Sequence, residues 1–181
     1  NACQVKSMPP LVQGTPIVVG LDAGISNDCF AMIAVSRVGK NVQVRYARKW
    51  TPPKGGKLDF KVVEDELRRL FGLYNIAEVA YDPYQLHDFC KRLQREGLGF
   101  FREFNQGMER LVSDKQLYDM IRDRTVEHSG EPDLTEHIQN ANAKSEGNDK
   151  AMRIVKRADT LKIDLAVSLS MAVNRMTKLV W

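Results

Sequence analysis

Residues 17–27 read IVVGLDAGISN. Ile17, Val18, Val19 and Gly20 are apolar or small, Leu21 follows, and a carboxylate, Asp22, closes the run. A short apolar run rich in β-branched residues predicts a strand buried on both faces. Aspartate is depleted in strands and is rarely buried without a partner. Asp22 therefore has two readings. One is a strand-end turn residue bonding to its own backbone. The other is a carboxylate placed on a rigid central strand to hold a metal ion. Past Ala23-Gly24 the chain resumes as a second strand over 29–37, which puts Asp22 inside a hairpin close to the sheet.

A third strand over 41–50 follows the Gly39-Lys40-Asn41 turn, so an antiparallel meander is expected. Val42, Val44 and Tyr46 alternate with Gln43 and Arg45, which predicts one wet face. The loop TPPKGGK is not a phosphate loop. Thr51 stands where that motif needs a glycine and Leu58 where it needs Ser or Thr. A helix is expected over 58–72, with Phe60, Val63, Leu67, Leu70 and Phe71 as its apolar stripe. The fourth strand, IAEVAYD, ends at Asp82-Pro83, where proline forces the chain out of the sheet. A helix over 84–96, a strand over 99–104, a helix over 107–124 and a short strand over 125–128 follow. The polar stretch 129–150 holds a helix over 133–143 and a turn or loop over 145–150. A basic strand over 151–157 and a last helix from Asp159 or Thr160 to Lys178 complete the reading. The stripe of that helix is Leu161, Leu165, Leu169, Val173 and Met176.

The 181 residues suffice for one core-forming domain, and 43% hydrophobic with 28% charged residues is ordinary globular composition. Residues 1–16, with Pro9, Pro10, Gly14 and Pro16 and no periodicity, read as a linker or leader ahead of a domain over 17–181. No apolar run approaches a membrane span, and the start of the chain has no signal-peptide pattern. Cys3, Cys29 and Cys90 give neither a disulfide framework nor a zinc pattern, so a reducing, cytosolic setting is expected. A net charge of +4 fits a polyanionic partner.

Three carboxylates fall at the ends or faces of expected core elements: Asp22 in the first strand, Asp82 at the end of the fourth, Asp164 one turn into the last helix. If the first and fourth strands pair in parallel, Asp22 and Asp82 become neighbours. The small Ser168 and Ala172 let the last helix approach and bring Asp164 over them. Acids so close repel, and a divalent cation relieves the repulsion. Two Mg²⁺ or Mn²⁺ ions about 3.5–4 Å apart can hold a scissile phosphate and activate water.

The hairpin GLDAGISND, the strand end VAYDPY and the run TVEHSGEPDLTEHIQNANAK…MRIVKRADTLKIDLAVSLSMAVNR resemble the nuclease domain of tailed-bacteriophage terminase large subunits, over roughly residues 17–178. The resemblance implies an α/β, ribonuclease H-like fold: a mixed central sheet, antiparallel across its first three strands, with helices on both faces. It implies a metal-dependent endonuclease that cuts concatemeric viral DNA during packaging without marked sequence specificity. By motif position the catalytic, metal-binding acids are Asp22, Asp82 and Asp164, with Asp22 bridging two ions. Some members carry a histidine one turn before the last acid; Leu161 stands there, so no His ligand is expected. The implied partners are double-stranded DNA, the ATPase domain of the same subunit, the portal and the small terminase subunit. The implied location is the procapsid portal in the host cytoplasm. The motor's phosphate loop is absent from this chain, which fits an isolated C-terminal domain.

Lys156, Arg157 and Lys162 flank the start of the last helix and are the candidate DNA-phosphate contacts. Arg45, Arg48, Lys49, Lys54 and Lys57 could extend that track. Asp28 reads as a turn residue, Asp159 as a helix cap and Asp88 as surface. His87, His128 and His137 have no mutual metal-site spacing and read as surface or hydrogen-bonding residues. Two rival functions remain: a junction-resolving or integrase-type nuclease, and a non-cleaving scaffold of the same fold.

Overall fold

The computed structural model describes residues 2–24, 29–146 and 148–179; side chains at 146 and 148–150 are not described. In chain order the elements are β1 (Pro16–Ala23), β2 (Phe30–Val38), β3 (Asn41–Trp50), α1 (Phe60–Leu73), β4 (Asn75–Tyr81), α2 (Pro83–Arg95) and β5 (Phe101–Glu103). Then come α3 (Met108–Arg122), β6 (Val126–Glu127), α4 (Pro132–Gln139), β7 (Ala141–Glu146), β8 (Asn148–Lys156) and α5 (Asp164–Lys178). Six strands form one sheet in the order β5-β4-β1-β2-β3-β6. β1, β2 and β3 are the expected antiparallel meander, while β4 runs parallel to β1, β5 to β4, and β6 to β3.

The two faces of β1 explain the layers. Ile17, Val19 and Leu21 point to one side and join Val79, Tyr81 and the α1 and α2 residues Val63, Leu67, Leu70, Leu86 and Leu93. Val18 points to the other side and joins Leu117, Leu165, Leu169 and Val173 from α3 and α5. Strands must alternate, so Gly20 and Asp22 also face α5. On β4 the same parity puts Glu78, Ala80 and Asp82 on that side; Arg175 of α5 bonds Glu78 at 2.5 and 3.1 Å. Helices thus cover both faces, with α5 central on one.

Gly20 permits the close approach of α5. A Cβ there would collide with the carbonyl oxygen of Ser168 and come within 3.2 Å of the Ala172 methyl. The small residues at Gly20, Ser168 and Ala172 are what let the helix backbone lie on the strand.

Several boundaries differ from the sequence reading. The helix expected over 133–143 stops at Gln139, and Ala141–Glu146 becomes a strand paired antiparallel with β8. β8 carries a ladder of backbone groups that needs a partner, and this outweighs the weak strand propensity of ANAKSE. The expected turn over 145–150 is largely taken up by the two strands; Gly147 lies outside the described residues. The last helix starts at Asp164, not at Asp159 or Thr160. Asp159 therefore caps nothing, Leu161 is not part of the helical stripe, and Asp164 is the first helical residue rather than one turn in. Asp28 falls outside the described residues, and Asp88 is exposed as expected. On β3 the expected wet face is partly covered. Gln43 is buried, and Arg45 donates to Ser36 and to the carbonyl of Pro9. The N-terminal stretch lies against the domain: the N–H of Val5 donates to the His128 carbonyl at 3.0 Å, and Asn75 donates to that of Gly14 at 2.8 Å. No helix among the described residues is long and apolar enough to cross a membrane.

Candidate metal and DNA site

β1 and β4 end side by side. Leu21 pairs with Tyr81 in parallel register, and the N–H of Asp82 donates to the Leu21 carbonyl at 3.3 Å. Asp22 and Asp82 are the next residues of the two strands and share the face turned to α5. Pro83 opens α2, and Asp82 is its N-cap, one side-chain oxygen accepting from the N–H of Tyr84 at 2.9 Å. The carboxylate is thereby held at the strand end while remaining half-exposed.

Asp164 arrives from above. Ile163, Ala166 and Val167 pack against Ala80, two residues before Asp82. One turn on, Ser168 donates to the carbonyl of Ala31, the residue paired with Asp22 across the β1–β2 hairpin. The first turn of α5 therefore sits over the ends of β1 and β4, the strands that carry Asp22 and lead into Asp82; among the described residues the ligand-type atoms that lie within 4.8 Å of one another are those of Cys29, His137 and Asp164, not those of the three acids as a set. Asp22 is 8% exposed and Asp164 5%. Asp164 also lies at a helix N-terminus, where the macrodipole favours negative charge.

Two residues of this site were not read as part of it from the sequence. Cys29, at the foot of the hairpin, donates its thiol hydrogen to Asp164 Oδ2 at 3.1 Å. Burial first, then the charge and hydrogen bond of Asp164, push this thiol far above its usual range, so it is a neutral donor. His137 of α4 is fully buried, and its Nδ1 accepts the N–H of Leu165 at 3.0 Å. It is the cap acceptor that Ile163, the N-cap residue of α5, cannot supply. Burial, then the charge of Lys49, lower its pKa. Lys49 itself is held by Asp133 and Glu136, each at 3.1 Å. Ligating-type atoms of Cys29, His137 and Asp164 lie within 4.8 Å of one another.

The donor chemistry fits a divalent ion. Asp22, Asp82 and Asp164 offer hard oxygen donors, and the Cys29 thiol is a neutral partner of Asp164.

Of the three basic candidates, Lys156 ends β8, Arg157 follows it, and Lys162 stands two residues before Asp164. Arg157 is exposed, and its Nε donates to the Ala141 carbonyl at 2.8 Å, tying the end of β8 to the start of β7. Lys156 and Lys162 are half-buried and each has a partner within the protein. The carbonyl of Lys162 accepts from Asn140 at 3.0 Å, which holds the segment before α5 out of the helix.

Residues 34–179 match the family model described as terminase large subunit, endonuclease domain. No curated protein matches the chain. Among solved structures, the HK97 bacteriophage large terminase is similar with a TM-score of 0.80 at 21% identity, over 96% of this chain and 41% of that one. This chain thus spans about two fifths of that protein's length. The large terminase nuclease from thermophilic phage G20c gives 0.68 at 13% identity, over 90% and 83% of the two chains. The bacteriophage SPP1 large terminase nuclease domain, solved with bound Mn, gives 0.63 at 15%, over 88% and 86%. At these identities the structural matches establish the fold, that of the ribonuclease H-like terminase nuclease domains.

Proposed function

Because the chain belongs to the terminase large subunit endonuclease-domain family by its match over residues 34–179, we propose that it is a divalent-metal-dependent endodeoxyribonuclease. Its task on this reading is to cut concatemeric viral DNA during genome packaging, with little sequence preference. The observation that supports the reading is that β1, carrying Asp22, and β4, leading into Asp82, end side by side, with the first turn of α5, carrying Asp164, packed against β4.

Asp22, buried on β1, would hold the divalent ions together with Asp82 and Asp164. Bound Mg²⁺ or Mn²⁺ ions would supply Lewis acidity to the scissile phosphate and lower the pKa of the attacking water. The choice of ions is supported by related nucleases solved with bound Mn and with bound magnesium. The protein's own contribution is placement. The hydrogen bond between Asp82 and Leu21 locks the two strand-borne acids in register, and Cys29 orients Asp164. Lys156, Arg157 and Lys162 hold DNA phosphates beside this edge. The partners on this reading are double-stranded DNA, the ATPase domain of the same subunit, the portal and the small terminase subunit. The place of action is the procapsid portal in the host cytoplasm.

The test is supercoiled plasmid incubated with the domain. Nicked and then linear DNA is expected with Mg²⁺ or Mn²⁺, and intact plasmid in EDTA. Cleavage that ignores EDTA removes the metal mechanism. Binding without cleavage in any divalent metal points to a scaffold, and a strong preference for four-way junctions to a resolvase.

A further inference from the structure

Cys29, His137 and Asp164 have the donor types of a transition-metal cage, but the hydrogen bonds argue against His137 as a ligand. Its Nδ1 accepts an N–H from Leu165. A ring nitrogen that accepts carries no proton, so the neutral imidazole bears its proton on Nε2. That nitrogen has no lone pair for a metal. It is a donor, and it is buried with no partner among the described residues. A buried donor without an acceptor costs about 1–3 kcal/mol, and such a group calls for a reason.

DNA cannot be the acceptor directly, because His137 is wholly inaccessible. The acceptor must be internal. Within the 4.8 Å cluster the strong acceptor is the carboxylate of Asp164, since the Cys29 sulfur is a weak one and already donates. Asp164 lies next in sequence to Leu165, whose N–H fixes the other side of the same ring.

We propose that His137 is a positioning residue for Asp164: its Nε2–H, with the Cys29 thiol, clamps the carboxylate in its ligating orientation when the site takes up metal. The proposal rests on the reading of Asp164 as a metal ligand. His137 then has two separable jobs. Nδ1 fixes where α5 begins, and Nε2–H fixes where its first carboxylate points. Partners of this kind around ligating carboxylates typically govern 10–100-fold in metal affinity or activity.

Two amide substitutions separate the jobs. In His137→Asn the amide oxygen falls near the Nδ1 position, so the cap is kept and the outer donor lost. In His137→Gln the amide nitrogen falls near Nε2, so the donor is kept and the cap weakened. Melting in EDTA, Mn²⁺ affinity by calorimetry, and kcat and KM on plasmid DNA are measured for both. His137→Asn is expected to melt near wild type, bind Mn²⁺ about tenfold more weakly, and lose kcat with KM unchanged. His137→Gln is expected to melt lower yet hold Mn²⁺ within about threefold of wild type. Wild-type Mn²⁺ affinity in His137→Asn overturns the proposal, as does a low melting point for that variant. Loss of affinity in both variants also overturns it, in favour of a structural role or direct ligation. If wild type itself binds no Mn²⁺ and cuts nothing, the functional reading falls and this role with it. Normal wild-type behaviour with an indifferent Asn variant removes the His137 role alone.

Discussion

A Cβ on Gly20 would strike the carbonyl oxygen of Ser168 and come within 3.0 Å of its carbonyl carbon. Strand β1 and helix α5 are in backbone contact at that point, two residues before Asp22 and one turn after Asp164. The spacing between those two acids is therefore set by the lack of a side chain at Gly20. Gly20→Ala must push α5 off the sheet. Overpacking of this kind costs about 1–3 kcal/mol. The variant should melt several degrees lower and lose plasmid cleavage more than its folded fraction accounts for. Equal melting and equal cleavage would mean that α5 sits farther from β1 than described.

Away from the site, Glu64 of α1 is held by Arg92 of α2 at 2.6 Å and by Arg68 at 2.9 Å. Glu96 joins both arginines. The hydrogen bond from Arg92, opposed by burial and aided by Arg68, lowers the Glu64 pKa from 4.5 to about 2. A carboxylate depressed in the folded state adds stability that is fully present above its unfolded pKa and is lost as pH falls towards the folded value. Glu64→Gln should therefore cost roughly 1 kcal/mol at pH 7, a figure kept low because both arginines are well exposed. The deficit should shrink between about pH 4.5 and pH 2. Urea melts of both proteins across that range check it; a deficit independent of pH would assign the effect to packing.

The basic candidates Lys156 and Arg157 are tested separately. Arg157 ties β8 to β7 through the Ala141 carbonyl, so Arg157→Ala should loosen the hairpin as well as remove a charge. Lys156 also has a partner within the protein, so Lys156→Ala is read beside its own thermal melt. The substitution should weaken binding about equally across sequences and reduce the slope of log K against log salt by roughly one unit. An unchanged slope places the DNA track elsewhere.

The two strands that carry or lead into the candidate acids Asp22 and Asp82 were legible because they depend on local pattern. The run IVVGLD and the strand end VAYDP each mark a buried strand closed by an acid, and strand parity does the rest. The start of α5 was not legible. Its cap acceptor, His137, stands 28 residues before Leu165, and no local reading of ADTLKID can supply it. For the same reason Asp159 looked like a cap. Strand β7 was missed because ANAKSE has little strand propensity; pairing with β8 makes it a strand. Cys29 looked like an isolated thiol, and its link to Asp164 spans 135 residues.

The strongest test of the acids themselves is a stability measurement. Asp22 is buried, and on the proposed reading it stands beside the other two acids and feels their charge. Asp22→Asn keeps the shape and removes one charge, so without metal the variant should be as stable as wild type or more so. Metal should reverse the order. Ions that bind only the native state add RT ln(1 + [L]/Kd), about 2.7 kcal/mol at a hundredfold excess over Kd. Wild type should gain that increment with Mn²⁺, and Asp22→Asn should lose most of it together with cleavage. A carboxylate whose role is to bond nearby backbone predicts the opposite: a destabilised variant even in EDTA, with Mn²⁺ helping both proteins equally. Thermal melts of the two proteins in EDTA and in Mn²⁺ distinguish the cases. If the variant melts well below wild type in EDTA and gains as much from Mn²⁺, Asp22 is scaffolding and the metal site is misassigned.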